Sequence, residues 1–204
     1  MVQITHGLRG ILSNPLIYSV FQLIMGARKG RQQFTENYIK PLPSMKILDV
    51  GCGPADILAY LPDAEYYGFD ISADYIEKAR SNFANKGTFF CKIFDEGDLS
   101  YLPKFDVVLA MGLLHHLDDE EAVQLIKLAH KALNPGGRLL TIDPCLVSGQ
   151  NPIARFLINK DRGQNVRNEE AYLHLVEEVF ESSCIDVKHQ RWIPYTNCFM
   201  TCTK

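Results

Sequence analysis

The middle of this 204-residue chain alternates short apolar runs with longer amphipathic stretches. The apolar runs have the length of strands and cover residues 46–50, 65–69, 88–94, 105–110 and 138–142. Between them, residues 72–85 and 118–133 carry apolar side chains at helical spacing. Strands that alternate with helices form mostly parallel sheets with helices on both faces. The sequence therefore predicts an α/β fold.

Both ends of the chain depart from this alternation. Residues 15–38 predict two helices, and a later stretch, Asn168 to Ser182, predicts another. The last two strand-like runs, Ile185 to Trp192 and Tyr195 to Thr201, have no helical crossover between them. Two strands joined directly in this way pair antiparallel. We therefore expect the sheet to end in an antiparallel pair.

Length and composition limit the classes of protein to consider. A chain of this length with 47% hydrophobic residues supports one core, so we predict a single domain over residues 1–204. The net charge is −3 and the sequence has no basic stripe, so we expect no nucleic-acid partner. The six cysteines include no C-x-x-C pair, which favours reduced thiols in a cytoplasmic protein and no metal site.

One segment indicates a ligand: Ile47-Leu-Asp-Val-Gly-Cys-Gly-Pro-Ala-Asp56, a strand that runs into a glycine turn before a helix. Gly51 and Gly53 let the backbone approach a ligand closely, and a helix start offers unpaired N–H groups. A dinucleotide fingerprint would need glycine at position 56, where Asp56 would repel a pyrophosphate. A cationic cofactor therefore fits this loop better than NAD.

An acidic side chain ends the second strand. Asp70 stands where a carboxylate can accept hydrogen bonds from both hydroxyls of a ribose. The alternative is a strand-end acid that caps the next helix, although Ser72 is the better cap. The following long helix has a capping-box start at Asp118 and Glu121 and a sharp Asn-Pro-Gly-Gly stop at 134–137.

Four motifs in the right order resemble those of class I methyltransferases that use S-adenosylmethionine (SAM). They are Asp49-x-Gly51-x-Gly53, Gly68-Phe-Asp-Ile-Ser72, Phe105-Asp-Val-Val-Leu-Ala-Met-Gly-Leu-Leu-His-His-Leu117 and Leu133-Asn-Pro-Gly-Gly-Arg-Leu-Leu140. The resemblance covers about residues 45–145. It implies a Rossmann-like, seven-stranded sheet that is mostly parallel with its last strand antiparallel, and methyl transfer from SAM.

The resemblance also implies a cofactor site. Asp49 and the backbone of Gly51, Cys52 and Gly53 would face the methionine part of SAM. Asp70 would bind the ribose, Ile71 the adenine, and Met111 with Gly112 the edge of the cofactor beside the methyl group. Two positions depart from the family pattern: Ala55, where glycine is frequent, and the acid that contacts the adenine amino group, for which Asp95 and Asp98 both qualify.

Two histidines follow the fourth strand. His115 and His116 lie on the side where the family holds the reactive methyl group, and imidazole suits proton transfer near neutral pH. They are our catalytic candidates if the acceptor is a hydroxyl. Alternatively, one of them only holds a loop through hydrogen bonds.

The acceptor should be a small molecule. The chain lacks the Asn/Asp-Pro-Pro-aromatic run of many amino-methylating enzymes, having Met111-Gly-Leu-Leu114 at that point. We expect substrate contacts from the variable segments, where Tyr18, Arg28, Arg155 and Arg162 could receive a polar or anionic acceptor. A solvated surface without a ligand is the alternative for these cations.

We divide the predicted domain into three parts. Residues 1–44 form a helical lid, residues 45–145 the cofactor-binding core, and residues 146–204 a substrate-side insertion with the closing strands. The competing functions are a non-catalytic SAM-binding subunit, an NAD-linked oxidoreductase, which Asp56 disfavours, and a lipid or quinone methyltransferase. The last would dock on membranes through Pro15 to Met25, which is too short to span a bilayer. We favour the buried lid because this helix has no basic polar face. We make no prediction of the oligomeric state.

Overall fold

A computed structural model describes residues 27–160, 163–190 and 194–204. Seven strands are present in these residues: β1 (Lys46–Val50), β2 (Glu65–Asp70), β3 (Gly87–Cys91), β4 (Phe105–Met111), β5 (Leu133–Pro144), β6 (Ser182–Gln190) and β7 (Tyr195–Thr203). The α-helices of the same residues are α1 (Ala27–Phe34), α2 (Ala73–Phe83), α3 (Asp119–Ala132), α4 (Pro152–Asn159) and α5 (Glu169–His174). A π-helix follows α1 at Thr35–Ile39, and 3₁₀ turns cover Asp56–Tyr60, Glu96–Ser100 and Leu114–His116.

The strands form one sheet in the order β3-β2-β1-β4-β5-β7-β6. The first five strands in this order are parallel, whereas β7 runs antiparallel to both β5 and β6. This confirms the predicted seven-stranded sheet with an antiparallel last strand. The carboxyl ends of β1, β2, β4 and β5 meet at one edge, where ligands bind in open α/β sheets.

Helices cover both faces of the sheet, as predicted. Successive residues of a strand point to opposite faces, so Leu48 packs on the side of α3 and α5, whereas Ile47 packs on the side of α1 and α2. Ile126 of α3 is buried against the first face, and Phe34 of α1 and Ile76 of α2 are buried against the second. The sheet is therefore the middle of three layers.

The helix caps agree with the local sequence signals. The Ser72 side chain accepts a hydrogen bond from the backbone N–H of Tyr75 at the start of α2. Asp118 and Glu121 form the predicted capping box of α3, in which each side chain accepts from the other's backbone N–H. The chain leaves α3 at Ala132 and enters β5 at once.

Several predicted boundaries are wrong. β5 begins at Leu133 and not at Arg138, because Leu133 already pairs with Phe105 of β4. The helix predicted after the glycine turn is a five-residue 3₁₀ helix, Asp56–Tyr60. β3 stops at Cys91 because the chain turns there to bury Phe94 in the core. α5 stops at His174 because the backbone tightens: the N–H of Val176 donates to the carbonyl of Leu173, three residues back.

Several predictions lie outside the described residues: the helix Pro15 to Met25 with Tyr18, and also Arg162 and the end of the sixth strand at Trp192. In the remainder of residues 15–38, α1 and the π-helix confirm helical structure. Across residues 27–160, 163–190 and 194–204, none of the helices combines the length and the apolar character needed to cross a membrane.

Candidate functional site

The glycine turn after β1 is open on its outer side. Gly51 and Gly53 have positive φ angles of 74° and 53°, a conformation that favours glycine. The backbone N–H groups of Gly51 and Cys52 donate to the carbonyl of Phe69 at 2.8 and 2.9 Å, which ties the turn to the end of β2. A side-chain carbon placed on Gly53 would meet nothing within 4 Å. The turn therefore presents bare backbone to a ligand.

Asp70 connects this turn to the start of α2. One carboxylate oxygen accepts the backbone N–H of Gly53 at 2.9 Å and the other accepts that of Ser72 at 2.8 Å. A carboxylate has about four acceptor positions, so two remain for a ligand. The side chain thus holds the loop and can still bind hydroxyls. Ile71, the next residue in the chain, is 53% exposed, which leaves an apolar surface next to the carboxylate.

Asp49 lies beneath the turn and is fully buried. Its Oδ2 accepts a hydrogen bond from the hydroxyl of Tyr66 at 2.6 Å, whereas its Oδ1 has no donor among the described residues. Burial raises the pKa of Asp49 to about 7, the hydrogen bond from Tyr66 opposes that rise, and the charge of Asp70 adds to it. The neighbouring Cys52 thiol is also buried, and burial raises its pKa.

The two acids after β3 differ in their surroundings. Asp98 is fully buried, where its carboxylate accepts the backbone N–H of Asp95, the hydroxyl of Tyr101 and, at 2.8 Å, the ammonium of Lys92. The Asp95 side chain is 57% exposed and accepts the backbone N–H of Gly97. Asp98 therefore braces the turn from inside, while Asp95 faces outward.

The turn after β4 lies against the glycine turn. Gly112 has a φ of 66°, and its N–H donates to the carbonyl of Ile142 at 2.7 Å. The next residue, Leu113, is so close to Gly51 that a side-chain carbon there would lie 3.3 Å from the leucine methyl groups. The backbone of Met111 and Gly112 thereby forms a second wall beside the open turn.

A histidine and an aspartate meet at the ends of β4 and β5. His115 is buried, and its Nδ1 lies 2.8 Å from Oδ1 of Asp143, which also accepts the backbone N–H of His115 at 3.1 Å. Burial raises the pKa of Asp143, and the contact with His115 opposes that rise. The His116 ring packs on the His115 ring with centroids 4.1 Å apart. The carboxylate therefore orients His115, while His116 lies on its outer side.

The Nε2 edge of the His115 ring can be located from its neighbours. A side-chain carbon on Gly112 would lie 3.8 Å from Cε1 of His115, and one on Gly163 would lie 2.0 Å from Cδ2. Nε2 is bonded to both ring carbons, so it lies on the ring edge between these two contacts. In the tautomer whose Nδ1–H donates to Asp143, Nε2 is the acceptor nitrogen of the ring.

Arg167 holds the segment that covers His115. Its guanidinium donates to the carbonyls of Leu114 (2.9 Å), Leu117 (2.9 Å) and Asn165 (3.0 Å), and it pairs with Asp119 at 2.7 Å. The N–H of Asn165 in turn donates to the carbonyl of His115 at 3.0 Å. Residues 163–167 are thereby fixed over the histidine.

The substrate candidates are less concentrated. Arg28 and Arg155 are exposed on α1 and α4, and Tyr18 and Arg162 lie outside the described residues. A cleft of about 360 Å³ opens between the start of α4 and the β6–β7 pair. Its lining is neutral and mostly polar, and it includes Gln150, Asn151, His189, Gln190, Tyr195 and Thr196.

Sequence reasoning missed four residues of this site: Tyr66, Asp143, Gly163 and Arg167. Asp143 carried a usable signal, because it is the one acid in the apolar strand Leu139–Pro144. Tyr66 and Arg167 carried none, since a strand tyrosine and a loop arginine are ordinary residues until their partners are known.

The chain matches known proteins over its central part. Residues 47–137 match a family described as a methyltransferase domain. The chain is 36% identical over 109 residues to 27-O-demethylrifamycin SV methyltransferase of Amycolatopsis mediterranei, covering 50% of this chain and 39% of that protein. It is 28% identical over 170 residues to phosphoethanolamine N-methyltransferase 1 of Zea mays, covering 80% of this chain and 33% of that protein. The chain thus spans about two fifths or less of the length of these relatives.

The fold matches solved structures over nearly its whole length. The S-adenosylmethionine-dependent methyltransferase SibL superposes with a TM-score of 0.70 at 18% identity, covering 96% of this chain and 61% of that one. A likeness at this level of identity concerns the fold.

Proposed function

We propose that this chain is a class I SAM-dependent methyltransferase and transfers the methyl group of SAM to a small-molecule acceptor. The observation that carries the proposal is the pair of carboxylates at the open glycine turn. Asp49 has a buried oxygen without a donor among the described residues, and Asp70 has acceptor positions left beside bare backbone. A cationic nucleoside such as SAM satisfies both.

The fit to the cofactor can be assigned part by part. Asp49 and the backbone of Gly51, Cys52 and Gly53 would receive the cationic methionine part, because a buried carboxylate is stabilised by a positive charge. Asp70 would accept both ribose hydroxyls.

The adenine would lie on the apolar surface next to Asp70. Ile71 is exposed there, and Asp95, which faces outward, is better placed than the buried Asp98 to reach the adenine amino group. Met111 and Gly112 would border the cofactor beside its methyl group.

The histidine and aspartate pair favours a hydroxyl acceptor. SAM supplies a methyl group made electrophilic by its sulfonium, so the protein must align an acceptor and remove its proton. Donation from Nδ1–H to Asp143 would leave Nε2 as the proton acceptor, and the adjacent Cε1 would lie 3.8 Å from a side-chain carbon on Gly112. His115 is thus the proposed general base, and His116 supports its ring.

We propose the class of the acceptor, a small molecule, and not its identity. The two relatives named above are methyltransferases of a rifamycin and of phosphoethanolamine, which are both small molecules. For this chain we propose acceptor contacts from residues 1–44 as a lid and from residues 146–204. Tyr18, Arg28, Arg155 and Arg162 are the residues to substitute first.

Calorimetric titration tests the cofactor assignment. Wild type and Asp70→Ala are titrated with SAM, S-adenosylhomocysteine (SAH) and NAD, with Asp74→Ala, an exposed acid of α2, as the matched control. We expect micromolar binding of SAM or SAH that weakens by roughly 1.5–3 kcal/mol in Asp70→Ala, because a hydrogen-bonded charged group is lost, and stays unchanged in Asp74→Ala. Binding of NAD without SAM would refute the proposal.

A further inference from the structure

A tyrosine and an aspartate meet on one face of the sheet below the glycine turn. β1 and β2 pair in parallel with Ile47 opposite Tyr66 and Asp49 opposite Gly68. Tyr66 and Asp49 are therefore diagonal neighbours on the same face. Tyr66 is 2% exposed, and its hydroxyl donates to Oδ2 of Asp49 at 2.6 Å.

Two glycines make room for the tyrosine ring. A side-chain carbon on Gly68 would lie 3.0 Å from Cε1 of Tyr66 and 2.9 Å from Sγ of Cys52. One on Gly87, which pairs with Tyr66 across β2 and β3, would lie 3.0 Å from Cδ1 of the ring. Glycine inside a strand weakens it and often marks a close approach of other groups. Here both glycines let the ring lie flat along the sheet and reach Asp49.

Among the described residues, the groups around Asp49 and Tyr66 provide no cation that pairs with the Asp49 carboxylate. The negative charge of Asp70 on β2 raises the pKa of Asp49. The Cys52 thiol of the turn is buried close to the same carboxylate. Asp56, which acts on Tyr66 from the 3₁₀ turn, is paired with Arg31 at 3.0 Å. Among the described residues, Asp49 makes no ion pair, so the Tyr66 hydroxyl is its polar partner.

We propose that Tyr66 is a positioning residue for cofactor binding, which favours the ionised form of Asp49 and leaves its Oδ1 for the cationic methionine part of SAM. This inference rests on the proposed function. It gives Tyr66 a role through Asp49, without contact with the cofactor.

The arrangement predicts a proton linkage. Burial places the pKa of Asp49 near 7, so a fraction of the free protein carries the proton at neutral pH. A cationic ligand favours the ionised carboxylate, so binding releases a proton and affinity rises as the pH passes from 6 to 8. Without the hydrogen bond from Tyr66, the pKa of Asp49 rises further, and we expect the midpoint to move up by about one pH unit.

Titration calorimetry with SAH in buffers of different ionisation enthalpy measures the protons released. Wild type, Tyr66→Phe and Tyr67→Phe are compared between pH 5.5 and 8. Tyr67 is the matched control because it is the adjacent tyrosine and packs on the other face against Phe105. We expect the proton release of Tyr66→Phe to peak about one unit higher, and Tyr67→Phe to follow the wild type.

A second measurement does not require the cofactor. Carbon-13 NMR of the side-chain carboxyls follows the titration of Asp49, identified by its loss in Asp49→Asn, in the free wild type and in Tyr66→Phe. A higher Asp49 pKa in Tyr66→Phe supports the inference. If SAH binds both proteins with the same pH profile, the role of Tyr66 is refuted while the cofactor assignment stands. If SAH does not bind the folded wild type at any pH, the proposed function fails and the inference with it.

Discussion

Asp143 holds His115 through two bonds to one carboxylate oxygen, which lies 2.8 Å from the ring Nδ1 and 3.1 Å from the backbone nitrogen of the same histidine. The ring and its own backbone are thus fixed by one buried acid from the neighbouring strand. This double contact sets the position of the ring and favours the tautomer with the proton on Nδ1, which leaves Nε2 as the acceptor nitrogen.

Asp143→Asn should disable His115 without unfolding the site. An amide cannot stabilise an imidazolium as a carboxylate does, so we expect methyl transfer to a hydroxyl acceptor to fall at least about 100-fold. Nitrogen-15 NMR should show the Nδ1-protonated tautomer of His115 in the wild type and its loss in the variant. SAH affinity is the control and should not change. Equal transfer rates in both proteins would exclude His115 as the general base.

Gly163→Ala should displace the segment over His115. The added carbon would lie 2.0 Å from Cδ2 and 2.6 Å from the backbone oxygen of His115, and neither group has room to move because His115 is buried. We expect the free energy of unfolding to fall by roughly 1–3 kcal/mol, as in other overpacked sites, with lost methyl transfer. Gly30→Ala is the control: its carbon meets nothing within 4 Å in helix α1, so it should stabilise by up to about 1 kcal/mol.

Arg167→Met should destabilise far more than Asp119→Asn. The Arg167 side chain is 8% exposed and serves three backbone carbonyls, which would lose their donors, so we expect a loss of about 3 kcal/mol or more in urea unfolding. Its partner Asp119 is 83% exposed, and an exposed ion pair contributes less than about 1 kcal/mol. Similar losses for the two variants would mean that the ion pair, and not the carbonyl contacts, fixes the segment.

Ala55→Gly should leave stability nearly unchanged. Ala55 has a φ of 56° and is fully buried. Relief of the left-handed strain gains about 1–2 kcal/mol, but the lost methyl group and the greater freedom of the unfolded chain cost about as much. Ala55→Val provides the contrast, since a branched side chain in this conformation should lower the thermal midpoint clearly. A large gain for Ala55→Gly would show that the methyl group contributes little.

Asp49→Asn should stabilise the free protein at high pH and weaken SAH binding. The pKa of Asp49 in the folded protein, about 7, exceeds the ordinary value of 3.8. The contribution of its protonated form to the unfolding free energy is therefore complete below pH 4 and is lost as the pH rises through 7. Relative to the wild type, we expect the variant to gain roughly 2–4 kcal/mol in unfolding free energy between pH 4 and pH 8. Asp74→Asn, at an exposed position of α2, should show no such pH-dependent difference.

Much of the fold could be predicted from the sequence because its signals are local. β1 has the predicted bounds, and the caps at Ser72 and Asp118 form as their residue patterns indicate. The turn at Gly51 and Gly53 could also be predicted, because glycines directly after a strand indicate a tight turn with positive φ angles. The ends of β3 and α5 could not be predicted from periodicity. β3 ends early because Phe94 packs into the core, and α5 ends early because the backbone tightens after His174.

The sequence by itself determined the succession of strands and helices along the chain, the open turn and the acid at Asp70, since each depends on residues that are neighbours in the chain. Tertiary structure alone decided that Tyr66 reaches Asp49 and that Asp143 holds His115. These partners are 17 and 28 residues apart and meet through strand order and register. Side-chain periodicity tells which face a residue occupies, but only the pairing of strands fixes which residues of two strands lie side by side.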